Sequence, residues 1–158
     1  MAWALGKLKP HGCAEGEVQT FMQAWSRSAV LLLHTFNPQN LSNSIWAVAQ
    51  LGIDDSGLIS AFTKQASNLL GSFADIDLAN VAWALGTLNH RDDQFLTQLV
   101  QRALPLVPIM SPQAIANISW TLTRLDCQQQ AVQFLTQVVE CSDPRKLTPQ
   151  VRVGGRWY

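Results

Sequence analysis

Charge is scarce in this chain of 158 residues: only 14% is Asp, Glu, Lys or Arg, with eleven of each sign and a net charge of zero. A basic face is the usual electrostatic footprint of a nucleic-acid binder, and the overall balance does not supply one, although it leaves room for a local patch. Cysteine is limited to Cys13, Cys127 and Cys141, an odd number with no CxxC pair. That pattern argues against a disulfide framework or a zinc site and suits a reducing compartment. His11, His34 and His90 share neither ligand nor triad spacing, and no glycine-rich GK[ST] loop offers a phosphate cradle. Catalysis, a bound metal, a cofactor and a small-molecule substrate are therefore not expected. The longest uninterrupted apolar runs, Ala29–Leu33 among them, are far shorter than a membrane span. No signal peptide is visible, and no alternating strand pattern of any length occurs.

What the chain does have is a ladder of tryptophans. Trp46, Trp83, Trp120 and Trp157 stand 37 residues apart, inside the phrases PQNLSNSIWAVAQL (38–51), DIDLANVAWALGTL (75–88) and PQAIANISWTLTRL (112–125). A partial copy begins at Trp3. Pro38, Pro112 and Pro149 occupy one phase of the ladder, and Asp75 takes the remaining rung. Self-similarity at this period marks a stacked-repeat array. The expected organisation is one array: a partial repeat at 1–37, full repeats at 38–74, 75–111 and 112–148, and the start of another at 149–158. The phrase is entered and left midway, so the chain reads as a window on a longer array.

Within each phrase the apolar residues fall at i, i+4 and i+7: Leu41, Ile45, Val48; Leu78, Ala82, Leu85; Ile115, Ser119, Leu122. That spacing predicts a helix, started at proline, which suits the first turn, and stopped at Gly52, Asn89 and Asp126. Second helices are predicted around 18–33, 58–70, 95–104 and 131–139. Asp54-Asp55 and Asp92-Asp93 sit where negative charge favours a helix start, and Pro105 and Pro108 close the third. The fold class is thus all-α: an α-solenoid of stacked helix-turn-helix hairpins with a period of about 37 residues. Trp46, Trp83 and Trp120 lie beside the apolar stripe, where a large flat ring wedges between successive helices. Base stacking is the alternative role and requires an exposed ring face.

A polar stripe at i, i+3, i+7 and i+10 runs Asn40, Asn43, Ala47, Gln50; Asp77, Asn80, Ala84, Thr87; Ala114, Asn117, Thr121, Arg124, with Lys7 at the last position of the partial copy. The second position is always Asn, which carries a helix-propensity cost and reads either as a ladder between helices or as amide forks facing a ligand. The fourth changes from Lys7 to Gln50, Thr87 and Arg124. Such variation fits a modular reader in which a few side chains per repeat meet one base, or simply a solvated face.

The phrase Leu78-Ala79-Asn80-x-x-Trp83-Ala84-Leu85-x-x-Leu88, with the lead-ins Pro38-Gln39, Pro112-Gln113 and Pro149-Gln150, resembles the octotricopeptide repeat. The resemblance covers essentially the whole chain apart from 10–17. The family's proline-rich phrase before the second helix is missing, with 52–57 and 89–94 in its place. The resemblance implies sequence-specific binding of single-stranded RNA in chloroplasts or mitochondria, in support of transcript processing, stability or translation. Lys7, Asn40, Asn43, Gln50, Asp77, Asn80, Thr87, Asn117, Thr121 and Arg124 are the expected contacts. A protein-interaction scaffold that holds an extended peptide is the competing expectation, and the neutral charge favours it.

Overall fold

The computed structural model describes residues 15–142, without the side chains of 15–19, 22 and 23. All regular structure among the described residues is helical. Seven α-helices follow one another: α1 (Glu15–Leu32), α2 (Pro38–Gln50), α3 (Ser56–Leu69), α4 (Asp75–Thr87), α5 (Asp93–Ala103), α6 (Pro112–Arg124) and α7 (Gln128–Ser142). Short 3₁₀ turns at Leu33–Thr35, Leu70–Ser72 and Leu104–Ile109 extend the ends of α1, α3 and α5. Helices α2, α4 and α6 thus begin 37 residues apart, at the expected rungs.

Local chemistry sets the helix boundaries. Pro38 and Pro112 occupy first turns, while the Asn37 Oδ1 and Ser111 Oγ atoms accept from the backbone N–H groups of Asn40 and Ala114. These are N-caps of the usual kind. Asp55 and Asp92 cap α3 and α5 in the same way, accepting from Leu58 N at 3.0 Å and Phe95 N at 2.9 Å. That is the helix-start role expected of the acidic pairs. At the other ends, Gly52, Asn89 and Asp126 adopt left-handed φ values of 66°, 52° and 53°. The N–H groups of Ile53, His90 and Cys127 then reach back to Val48 O, Leu85 O and Leu122 O. This is the Schellman closure, repeated three times at the predicted stops.

Packing joins the hairpins in two rows. Helix α2 packs on α4 and α4 on α6, while α1, α3, α5 and α7 form a second row behind them. One core runs through both, with Leu41, Ile45, Leu78, Leu85 and Ile118 from the first row and Phe62, Phe95, Leu99 and Phe134 from the second. In α6 the expected stripe shifts: Ile115 and Ser119 are half-buried, and Ile118 takes over the core position. Cys127 is buried, and this burial pushes its thiol pKa above the ordinary value. Among the described residues no helix is long and apolar enough to cross a membrane.

Candidate nucleic-acid interface

The first-row helices stack so closely that one flank of each is covered by the next, and this decides which polar residues face outward. Asp77 and Thr121, expected as ligand contacts, are buried. Asp77 Oδ1 accepts from Ser42 Oγ at 2.7 Å across the α2–α4 seam, and its Oδ2 accepts from the Ala74 backbone N–H at 3.1 Å. Thr121 Oγ1 donates to Ala82 O at 2.9 Å across the α4–α6 seam. Ala47, Ala84 and Ala114, on the same two rows of the expected stripe, are buried as well. Those rows belong to helix–helix seams, because small or hydrogen-bonded groups there allow the backbones to approach. Asn40 is exposed at the rim of α2. Lys7 lies outside the described residues.

Asp77→Ala is expected to cost about 2 kcal/mol, since it removes the acceptor at the start of α4 and leaves the buried Ser42 Oγ only its longer bond to Gln39 O at 3.3 Å. Asp77→Asn, which retains one acceptor oxygen, should cost less. Urea denaturation of the three proteins checks the ranking, and equal midpoints would refute it.

The residues that do face outward run at i, i+4, i+7 and i+11: Gln39, Asn43, Trp46, Gln50 on α2; Ile76, Asn80, Trp83, Thr87 on α4; Gln113, Asn117, Trp120, Arg124 on α6. All are half-buried or exposed. Asn43, Asn80 and Asn117 therefore share one face, as do Gln50, Thr87 and Arg124, in agreement with two of the four expected rows. Among the described residues the amides of Asn43 and Asn80 take no hydrogen-bond partner, while Asn117 Oδ1 accepts from Gln113 Nε2 at 2.8 Å within its own helix. No ladder of asparagines bonds one helix to the next.

The tryptophans pack between helices and also keep ring surface open. The Trp46 and Trp83 rings lie 6.1 Å apart and tilted by 34°, which is inter-helix packing, yet each keeps part of its surface open. Trp120 is 43% exposed. Their place between the Asn row and the variable row was missed in the sequence, although the i+7 step from Gln39 to Trp46 carries that signal.

Charge is distributed unevenly. The outward stripe contains no carboxylate and one cation, Arg124. The acidic residues Asp54, Asp55, Asp92, Asp93 and Asp126 gather at the turns between the two rows. Three arginines donate to backbone oxygens. Arg102 donates to Leu70 O and Phe73 O, Arg124 to Gly86 O, and Arg91 to Leu125 O and Asp126 O. Arg91 also hydrogen-bonds Asp93 at 2.7 Å, and that carboxylate raises its pKa further. Among the described residues no group of His, Cys, Asp and Glu has the arrangement of a metal site.

The architecture and this face define a helical-repeat-like protein that presents amides, indoles and a variable polar row along successive parallel helices. The chain matches the sequence model of the family described as RNA-editing substrate-binding complex 6 protein (RESC6) over residues 20–130, and it belongs to that family. A comparison with curated proteins produces no match.

Proposed function

We propose that this chain binds single-stranded RNA in a sequence-selective way through the outward stripe of α2, α4 and α6. The observation that carries the reading is the row of Asn43, Asn80 and Asn117, whose cost to the helices is not repaid by bonds between them, set beside open indole surface. An amide both donates and accepts and so matches base edges, and an exposed ring face stacks on bases of any kind. The family's name ties its members to a substrate-binding complex of RNA editing, which supports an RNA-related role. In this reading the chain is part of an octotricopeptide-like α-solenoid with a unit of about 37 residues. It acts without catalysis of its own in organellar transcript processing, stability or translation, in a chloroplast or mitochondrion.

The test is in-vitro selection from a randomised single-stranded RNA pool, with a matched DNA pool as control. A short enriched RNA motif is expected. With one cation on the stripe, log affinity should fall against log salt with a slope no steeper than about −0.7, because recognition rests chiefly on bases. Failure to enrich any motif with a folded, helical sample would overturn the reading. One observation favours a second reading, a scaffold for an extended peptide: the chain as a whole is neutral, and Arg91, Arg102 and Arg124 are engaged with backbone carbonyls. Peptide capture without RNA enrichment is the result that would establish it.

A further inference from the structure

We infer that Trp120 and Arg124, braced against Gly86, form a guanine-reading subsite on the outward stripe; this rests on the RNA reading above and sharpens it to one base at one position. Arg124 follows Trp120 by one helical turn, so its side chain returns over the indole, with Cζ 5.5 Å from the ring centroid. Its Nε donates to the Gly86 carbonyl at 2.7 Å. That bond fixes the guanidinium while it spends only one of its five N–H donors. Both Nη groups remain, and no carboxylate pairs with them among the described residues.

The brace depends on the glycine. A Cβ on Gly86 would lie 2.6 Å from Trp120 Cζ3 and 2.9 Å from Thr121 Oγ1, so the indole occupies the space that any other residue would fill. The equivalent positions of the neighbouring units hold Ala49 and Thr123, which makes this arrangement particular to the α4–α6 seam. Three groups from two helices thus place a pre-oriented, donor-only fork beside an indole that is 43% exposed.

Two parallel donors in a plane call for two acceptors side by side. Guanine offers them as O6 and N7, whereas adenine puts an amino donor at the same edge, uracil offers the single acceptor O4 there, and cytosine offers an amino donor and no acceptor. The exposed indole adds stacking surface for the base or its neighbour. A phosphate also accepts such a fork, but phosphates are alike in every nucleotide and carry no base preference. The same row of α2 holds Gln50, and a carboxamide pairs with adenine at N6 and N7. The residue at this position therefore sets which base is preferred.

The experiment is fluorescence anisotropy on the intact chain with short oligouridines that carry one central guanosine, adenosine, cytidine or 7-deazaguanosine, alongside oligouridine alone. Guanosine should improve affinity about 10-fold over the other bases, and 7-deazaguanosine, which lacks the N7 acceptor, should lose most of that gain. Arg124→Gln should move the preference from guanosine to adenosine. Arg124→Lys, which keeps the charge but loses the fork, should flatten it. Circular dichroism melting confirms that both variants remain folded. If every RNA binds equally and Arg124→Gln weakens all of them alike, Arg124 is a phosphate contact and the guanine subsite is wrong while RNA binding stands. If no oligonucleotide binds the folded protein, both readings fall.

Discussion

Gly86→Leu should destabilise the protein by about 3 kcal/mol, the upper range for forcing a side chain into a closed seam. The added Cβ alone would stand 2.6 Å from Trp120 Cζ3 and 2.9 Å from Thr121 Oγ1. Helix α6 must retreat to admit it, and two cross-helix bonds lie within the affected region: Thr121 Oγ1 to Ala82 O and Arg124 Nε to Gly86 O. Glycine is a poor helix former, so any replacement recovers up to about 1 kcal/mol in backbone terms. The net loss is what the experiment reads. For a chain of this size it corresponds to a fall in melting temperature of about 10 °C. Gly71→Ala is the control, because a Cβ there meets nothing within 4 Å; it should leave the melt within about 0.5 kcal/mol of the parent. A Gly86→Leu protein that melts like the parent would show that α4 and α6 do not approach so closely.

Trp83→Ala should cost about 3 kcal/mol, the low end for truncating a large aromatic residue. The low end applies because the ring is only half-buried. It nevertheless packs against the core and stands 6.1 Å from the Trp46 ring, so its loss opens the α2–α4 seam along a full turn. The urea midpoint should fall while the slope of the transition stays constant, the sign of lost stability without a change in the denatured state. Trp83→Phe retains much of the contact and should recover about half of the loss. If Trp83→Ala unfolds like the parent, the indole is not part of the packing, and its place on the outward stripe would then be its whole role.

Among the interactions that hold the molecule together, those between units are largely polar at the rims and apolar at the centre. Arg102 ties α5 to the carbonyls at the end of the preceding hairpin, and Arg91 ties the α4–α5 turn to the α6–α7 turn. These arginines add donors to carbonyls at helix ends, where intrahelical donors run out. Their use on carbonyls explains how a chain with so few charges leaves its outward stripe almost uncharged.

The residues that could be read from the sequence are those whose structure depends on their immediate neighbours. Pro38 and Pro112 mark helix starts because a first turn needs no proline N–H. Asp55 and Asp92 cap the following helix through contacts three residues away. Gly52, Asn89 and Asp126 end helices because a left-handed residue is needed there. The periodic apolar residues told which side of α2 and α4 is core. All of this is short-range physics, and it carried the all-helical class, the positions of the helices and the rows formed by Asn43, Asn80 and Asn117 and by Gln50, Thr87 and Arg124.

Which flank of each helix meets solvent was not legible in the same way. On one helix, Asp77 and Ile76 are adjacent residues about 100° apart, and polarity alone would place the aspartate outside. The structure does the reverse: Asp77 is buried against Ser42, and Ile76 is 63% exposed. Thr121 is buried while its neighbour Trp120 is open. The sequence by itself determined the helices, their ends and the inward stripe of α2 and α4, because hydrogen-bond closure and periodic burial act within a few residues. Only the tertiary structure decided the outward face, because that depends on how the next helix, 37 residues away, covers one flank and leaves the other to solvent.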